Sequence, residues 1–170
     1  MHYVGNYSNW INPEWKETAL RLTGKQLHEI SKQDIVSNAM ADSKKIMGNG
    51  HTERWLNAYS SEFFDMDINP PWTTGNVFWW IVKMMPGEFL PMHSDPHVGE
   101  RTDINRYWVP LTDYEDGHVF LYKDTLMKDY ESGDVFAYKD ANDLHGACNI
   151  GFTPRIALQL TEYFVDDGRL

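Results

Sequence analysis

From residue 76 onward every apolar run is short, and each is bounded by turn residues. Val77 to Met85 stops at Pro86-Gly87, and Arg106 to Leu111 stops at Thr112-Asp113. Val119 to Tyr122 follows Asp116-Gly117, a hairpin-like dipeptide. Val135 to Tyr138 follows Gly133-Asp134, and Arg155 to Phe164 follows Gly151 and Pro154. Short strands at this spacing predict an all-β sandwich or barrel. Residues 13–47 have a different texture, with few Gly or Pro and helical spacing. Pro13 suits a first helical position with Asn12 as its cap. Leu20, Leu22, Leu27 and Ile30 form an imperfect apolar stripe broken at Gly24. A second helix is expected from Ser31-Lys32-Gln33-Asp34 through Ile35, Val36, Met40 and Ile46 to Gly48-Asn49-Gly50. Residues 51–70, with Trp55, Leu56, Phe63 and Phe64, fit no single element. The expectation is one domain over residues 1–170, mainly β. Residues 1–70 form a mostly helical N-terminal layer, and residues 76–164 form a β jelly roll.

Composition narrows the function. The chain has 170 residues, one ordinary domain's worth, and 42% are hydrophobic, enough to build a core. No apolar run approaches the roughly 18–20 residues of a membrane span. Met1-His2-Tyr3-Val4-Gly5 lacks the basic and apolar regions of a signal peptide, so a soluble, cytoplasmic protein is expected. A net charge of −10 repels a phosphate backbone, which argues against a nucleic-acid partner. The single cysteine, Cys148, excludes an internal disulfide and a zinc–thiolate cluster.

Three residues in the strand half carry metal chemistry. His93 and Asp95 stand at i and i+2, a spacing that puts both side chains on one face of an extended segment. His145 comes about fifty residues later, far enough for a rolled sheet to bring it opposite that pair. Two imidazoles and a carboxylate on one face form the facial triad of non-haem Fe(II), and the open face leaves room for a chelating co-substrate and O2. Zinc also accepts two His and a carboxylate, so the donor set leaves the metal open. The competing picture is a surface Asp beside an unrelated His. Arg155 follows His145 by ten residues at the start of a strand. There Ile156, Leu158 and Leu160 share a core face, while Arg155, Ala157, Gln159 and Thr161 point into the jelly roll. An inward Arg is costly unless it meets an anion, and its planar fork suits a carboxylate. The alternative is an internal pair with one of the chain's own acids.

These segments together resemble the Fe(II)/2-oxoglutarate-dependent oxygenases. Pro86-Gly87-Glu88-Phe89-Leu90-Pro91-Met92-His93-Ser94-Asp95 resembles the segment that delivers the first two iron ligands in that superfamily. Asn105-Arg106-Tyr107-Trp108-Val109-Pro110-Leu111 resembles the next barrel strand of the aspartyl/asparaginyl β-hydroxylase branch. Gly133-Asp134-Val135-Phe136 with Leu144-His145-Gly146-Ala147-Cys148-Asn149 resembles the strand, turn and distal histidine. Pro154-Arg155-Ile156-Ala157-Leu158 resembles the strand carrying the co-substrate arginine. The resemblance implies a double-stranded β-helix, with Fe(II) and O2, 2-oxoglutarate as co-substrate and ascorbate as a stimulant. It implies His93, Asp95 and His145 as iron ligands, Arg155 on the distal carboxylate of 2-oxoglutarate, and Arg106 as a second carboxylate contact. The implied reaction is hydroxylation of an amino-acid, peptidyl or small-metabolite C–H bond, with succinate and CO2 as co-products. Two positions depart from the β-hydroxylase branch: Trp108 stands where His is frequent, and a bulky residue near Trp80 replaces a small hydroxylated one. Prolyl-hydroxylase-like relatives share the His-x-Asp…His pattern but often carry Lys where this chain has Arg155.

Other residues take lesser roles in this reading. His97 extends the His-x-Asp-x-His series as a loop or substrate-side group. Glu100, Arg101 and Asp103 mark a charged loop over 96–105 that is expected to move as substrate enters. Cys148 reads as a small buried residue. The runner-up reading is a non-catalytic or differently metallated cupin-like jelly roll that binds a small carboxylate or sugar.

Overall fold

The protein is seen here as a computed structural model, which describes residues 1–22, 57–60, 64, 68–93, 104–138 and 143–164. In chain order the elements are β1 (His2–Asn6), α1 (Pro13–Arg21), β2 (Asn57–Ser60), β3 (Asn76–Met84), β4 (Phe89–His93), β5 (Ile104–Pro110), β6 (His118–Tyr122), β7 (Thr125–Met127), β8 (Asp134–Tyr138), β9 (His145–Asn149) and β10 (Arg155–Tyr163). They form a six-stranded sheet in the order β1-β8-β5-β10-β3-β2 and a four-stranded sheet in the order β4-β9-β6-β7. The strand pairs joined by ladders are antiparallel. From β3 to β10 the chain passes back and forth between the sheets, so strands far apart in sequence become neighbours. This order is that of an eight-stranded double-stranded β-helix, with β1 and β2 added at the edges of the larger sheet.

Alternation along β10 builds the two sides of the larger sheet. Ile156, Leu158 and Leu160 are buried in one cluster with Trp79, Ile81, Tyr107 and Val109 of the neighbouring strands and with Trp15 and Ala19 of α1. Ala157 faces the other way, into a second cluster with Trp108, Phe120, Tyr122, Tyr130 and Tyr138 between the sheets. The outer cluster is therefore the seat of the N-terminal layer, and the inner one lines the jelly-roll interior.

Among the described residues the helical layer is reduced to α1. Asn12 caps it, accepting from the Glu14 amide at 2.9 Å, and Pro13 stands at its first position. Its buried face is Trp15 and Ala19, one turn apart. The expected stripe is corrected at Leu20, which is 41% exposed, and at Leu22, which caps the helix end instead of continuing it. The Leu22 carbonyl accepts from Lys83 Nζ of β3, which ties the helix end to the sheet. Leu27, Ile30 and the expected second helix over 31–47 lie outside the described residues, as do Trp55, Leu56 and Phe63.

Two turns differ from expectation. Asp116-Gly117 does not close a hairpin, because it follows β5 of one sheet and leads into β6 of the other. Gly117 has φ +98°, and a Cβ there would lie 2.3 Å from the Gly151 nitrogen. Its carbonyl accepts from Ile150, so this turn packs backbone to backbone on the β9–β10 loop. Gly117→Ala is expected to destabilise the fold by about 2 kcal/mol or more, measured by chemical unfolding, since both the left-handed φ and the contact oppose it. The tight hairpin is instead β6–β7, where Tyr122 pairs Thr125 and Lys123 takes φ +56°. The stretch 123–132 thus contains β7.

Candidate metal and co-substrate site

The topology brings the first and last candidate ligands side by side. His93 ends β4 and His145 begins β9, and the two are register partners of one antiparallel ladder. Such partners have Cα atoms roughly 4.5–5.5 Å apart. Asp95 and His97 lie outside the described residues, as do 96–103 of the expected moving loop, while Ile104 and Asn105 belong to β5. Among the described residues no three His, Cys, Asp or Glu side chains cluster as metal ligands.

His145 is buried, with its ring 5.9 Å from Tyr138 and 6.5 Å from Phe120. Its Nδ1 lies 3.0 Å from the Asp143 carbonyl oxygen. A carbonyl only accepts, so Nδ1 carries a proton, and the neutral ring then has its lone pair on Nε2, the form an imidazole needs to bind a metal through Nε2. The Asp143 carboxylate is held in turn by the Tyr122 hydroxyl and, at 2.6 Å, by Lys123 Nζ. Burial pushes this carboxyl up, but Lys123 and Tyr122 outweigh it and hold it below the usual carboxylate range.

Arg155 points into the interior, as the alternation predicts. It is 4% exposed, and its guanidinium carbon lies 5.3 Å from the ring centres of both Trp108 and Phe120. No carboxylate among the described residues forms an ion pair with it, so the alternative of an internal pair is not realised there. Burial disfavours its charge, and Tyr130 is the neighbour that most supports it. Even so, Arg155 Nε and Tyr130 Oη each lack a hydrogen-bond partner of ordinary geometry. Phe120 neighbours both Arg155 and His145, so one aromatic ring is shared by the two. Arg106 shares the inward face with Trp108, is 4% exposed and sits 5.9 Å from the Tyr138 ring centre. In the ladder Arg106 stands opposite Thr161, six residues along β10 from Arg155. The two cations therefore occupy different ends of the interior.

The remaining candidates fall into place around this surface. Trp108 is the hub of the inner aromatics, touching Phe120, Tyr130 and Phe136. Trp80 pairs Gln159, and its ring packs against Phe78. Cys148 is partly buried, and its thiol is pushed up by that burial. A surface cleft of about 540 Å³ lies elsewhere, lined by residues including Ile68, Thr73, Trp79 and Tyr163. Among its described lining residues the Tyr163 phenol is the one ionisable side chain. Sequence reasoning misses Asp143, Tyr122 and Tyr130. The one signal for them is the position of Tyr122 and Asp143 at strand ends next to the distal histidine.

The chain matches no protein-family model and no curated protein. Several solved structures share its strand arrangement loosely. The DMSP lyase DddQ from Ruegeria pomeroyi is 16% identical, with 72% of this chain and 53% of that chain covered and a TM-score of 0.45. An RmlC-like cupin protein from Desulfovibrio desulfuricans is 12% identical, with 71% and 93% covered and a TM-score of 0.43. The protein TT1209 from Thermus thermophilus is 11% identical, with 71% and 94% covered and a TM-score of 0.43. The fold is cupin-like. Similarity at this level bears on no chemistry, and the fold assignment itself rests on the strand order above. No helix among the described residues is long and apolar enough to cross a membrane.

Proposed function

We propose that this chain is an Fe(II)- and 2-oxoglutarate-dependent dioxygenase acting on a C–H bond of an amino-acid, peptidyl or small-metabolite substrate. The observation that carries the reading is Arg155: a buried guanidinium, aimed inward beside the Trp108 and Phe120 rings, without a carboxylate of its own among the described residues. A buried cation of this kind is costly until it meets an anion, and its partnerless Nε and the Tyr130 hydroxyl fit the end of a dicarboxylate. The donor set fits Fe(II) as well, with two imidazoles on adjacent strands and Asp95 two residues beyond His93.

In this reading His93, Asp95 and His145 hold the metal, Arg155 holds the distal carboxylate of 2-oxoglutarate, and Arg106 supplies a second cation farther along the interior. When bound, Fe(II) and 2-oxoglutarate together supply O2 activation and C–H oxidation, releasing succinate and CO2. The chain's own part is positional. His145 keeps its proton on Nδ1 against the Asp143 carbonyl and would meet the metal through Nε2. The Trp108 and Phe120 rings lie together beside the Arg155 guanidinium and give it an apolar, buried setting, which would strengthen a carboxylate contact there.

The test is succinate formation from 2-oxoglutarate in air with Fe(II) and ascorbate. Slow, enzyme-dependent turnover is expected without a prime substrate, and acceleration with one, because substrate binding closes the interior to bulk water. The Asp95→Ala variant is expected to stay at the no-enzyme background. Wild-type turnover at that background, with iron demonstrably bound, would overturn the reading in favour of a metal-binding cupin-like module.

A further inference from the structure

The end of β6 grips the residue that orients His145. Tyr122, the last residue of β6, is the register partner of His145. Its hydroxyl donates to Asp143 Oδ2, while Lys123 Nζ pairs Asp143 Oδ1 at 2.6 Å. The Lys123 amide donates to the Leu144 carbonyl at 2.7 Å, so side chain and backbone of one residue fasten both positions that precede the histidine. Lys123 does this from φ +56°, a conformation a lysine rarely adopts. Its side chain is 55% exposed, whereas that of Asp143 is 11% exposed, so the pair stands at the rim of the interior. The Asp143 carbonyl, on the same residue as the gripped carboxylate, is the group that fixes the His145 tautomer.

We propose that Asp143, clamped by Tyr122 and Lys123, is a positioning residue that sets the tautomer and ring orientation of His145 and thereby tunes metal affinity. The metal part rests on the functional reading above; the tautomer part stands on the geometry alone. An ion pair whose lysine stands half in solvent contributes little to stability by itself. Without the carboxylate, the 143–144 segment loses its two side-chain ties, and its carbonyl no longer meets Nδ1–H at a fixed angle. The imidazole then exchanges between tautomers, and the fraction with a lone pair on Nε2 falls. Groups that orient a ligating histidine in this way change metal affinity by roughly 10–100-fold when removed.

The experiment uses the full chain and two readouts. Long-range ¹H–¹⁵N correlation on the metal-free protein reports the His145 tautomer, and Co(II) competition against a chelator reports affinity. Wild type is expected to show the Nδ1–H form; Asp143→Ala is expected to show a tautomer mixture and roughly 10–100-fold weaker Co(II) binding. Asp143→Asn, which keeps an acceptor for Tyr122, is expected to restore part of both. Should Asp143→Ala fail to fold, Tyr122→Phe and Lys123→Gln loosen the clamp one contact at a time, and each is expected to move both readouts in the same direction. An unchanged tautomer and affinity in folded Asp143→Ala, or in both milder variants, overturns the proposal. A wild-type chain that shows the Nδ1–H form and the tautomer response but binds no Co(II) overturns the metal-site reading and leaves the clamp standing.

Discussion

Replacing Arg155 by Met is expected to leave the fold as stable as wild type or make it more stable, while 2-oxoglutarate binding falls by roughly 30-fold to several thousand-fold. The two effects separate because the guanidinium is buried without an acid of its own among the described residues. Removing it strands no carboxylate there. It also relieves the cost of a desolvated charge, and exchanging a buried charge for an apolar residue of similar volume is often neutral or stabilising by about 1–4 kcal/mol. The loss of stacking on Trp108 and Phe120 opposes this by about 0.5–2 kcal/mol. The co-substrate carboxylate, by contrast, would be left in the interior without its cation. Truncating one side of such a pair costs about 2–5 kcal/mol, which is the affinity loss stated. Arg155→Lys keeps the charge but not the fork and is expected to fall between the two. Anaerobic calorimetry with Mn(II) and 2-oxoglutarate gives the affinities, and urea unfolding gives the stabilities. An arginine with a purely structural role would produce the opposite pattern: lost stability and unchanged co-substrate affinity.

The inward course of Arg155 can be read from residue order alone, because β10 is the most legible element of the chain. Its alternation is strict, and its two faces contact different layers, so period and burial agree. The other core strands of the larger sheet, β3, β5 and β8, are legible for a related reason: their apolar runs are interrupted by turn residues at both ends. The strands that carry the histidines are not. β9 reads His-Gly-Ala-Cys-Asn, with no β-branched or large apolar residue, and β4 contains Pro91. Their strand character comes from tertiary pairing, each supplying backbone to the same ladder, and intrinsic propensity gives little sign of it. β1 is hidden differently. Gly5 interrupts it at a shift of register, and its partner, β8, lies 128 or more residues away along the chain. The β6–β7 hairpin escapes notice because its turn is Lys-Asp and not the Asn-Gly or Asp-Gly that advertises such turns. The candidate site is thus legible as a set of residues in order. The groups that orient it are not, since Asp143 acts through a backbone carbonyl, which leaves no mark in sequence.

Glu162 is a second residue whose importance the alternation contains but does not announce. It continues the face of Ile156, Leu158 and Leu160, so it is an acid on an apolar surface, and it is 2% exposed. Its carboxylate accepts four hydrogen bonds: from the Thr74 amide at 2.6 Å, the Gly75 amide at 2.8 Å, Asn105 Nδ2 at 2.9 Å and the Tyr107 hydroxyl at 2.8 Å. These join the 73–76 turn to β5 and β10 at the mouth of the outer core. Burial pushes the carboxyl up, but the donors from Asn105, Gly75, Thr74 and Tyr107 outweigh it and hold it below the usual carboxylate range. Burial and Glu162 together push the Tyr107 phenol well above its ordinary value, so it remains a donor at all working pH. Glu162→Ala leaves four donors without their acceptor and is expected to cost about 3–5 kcal/mol near neutral pH, as for other broken buried charge networks. For a chain of this size that lowers the midpoint of thermal unfolding by roughly 6–20 °C. The pH dependence has a definite sign. A carboxyl whose folded pKa is depressed stabilises fully above its unfolded value, about 4.3, and this stability is lost as pH falls through the folded pKa. The gap between wild type and Glu162→Gln is therefore expected to be widest at neutral pH and to close on acidification below about pH 4. Thermal melts of both proteins from about pH 3 to 8 measure it, and a gap that stays constant across that range would show that the ionised carboxylate is not what the four donors hold.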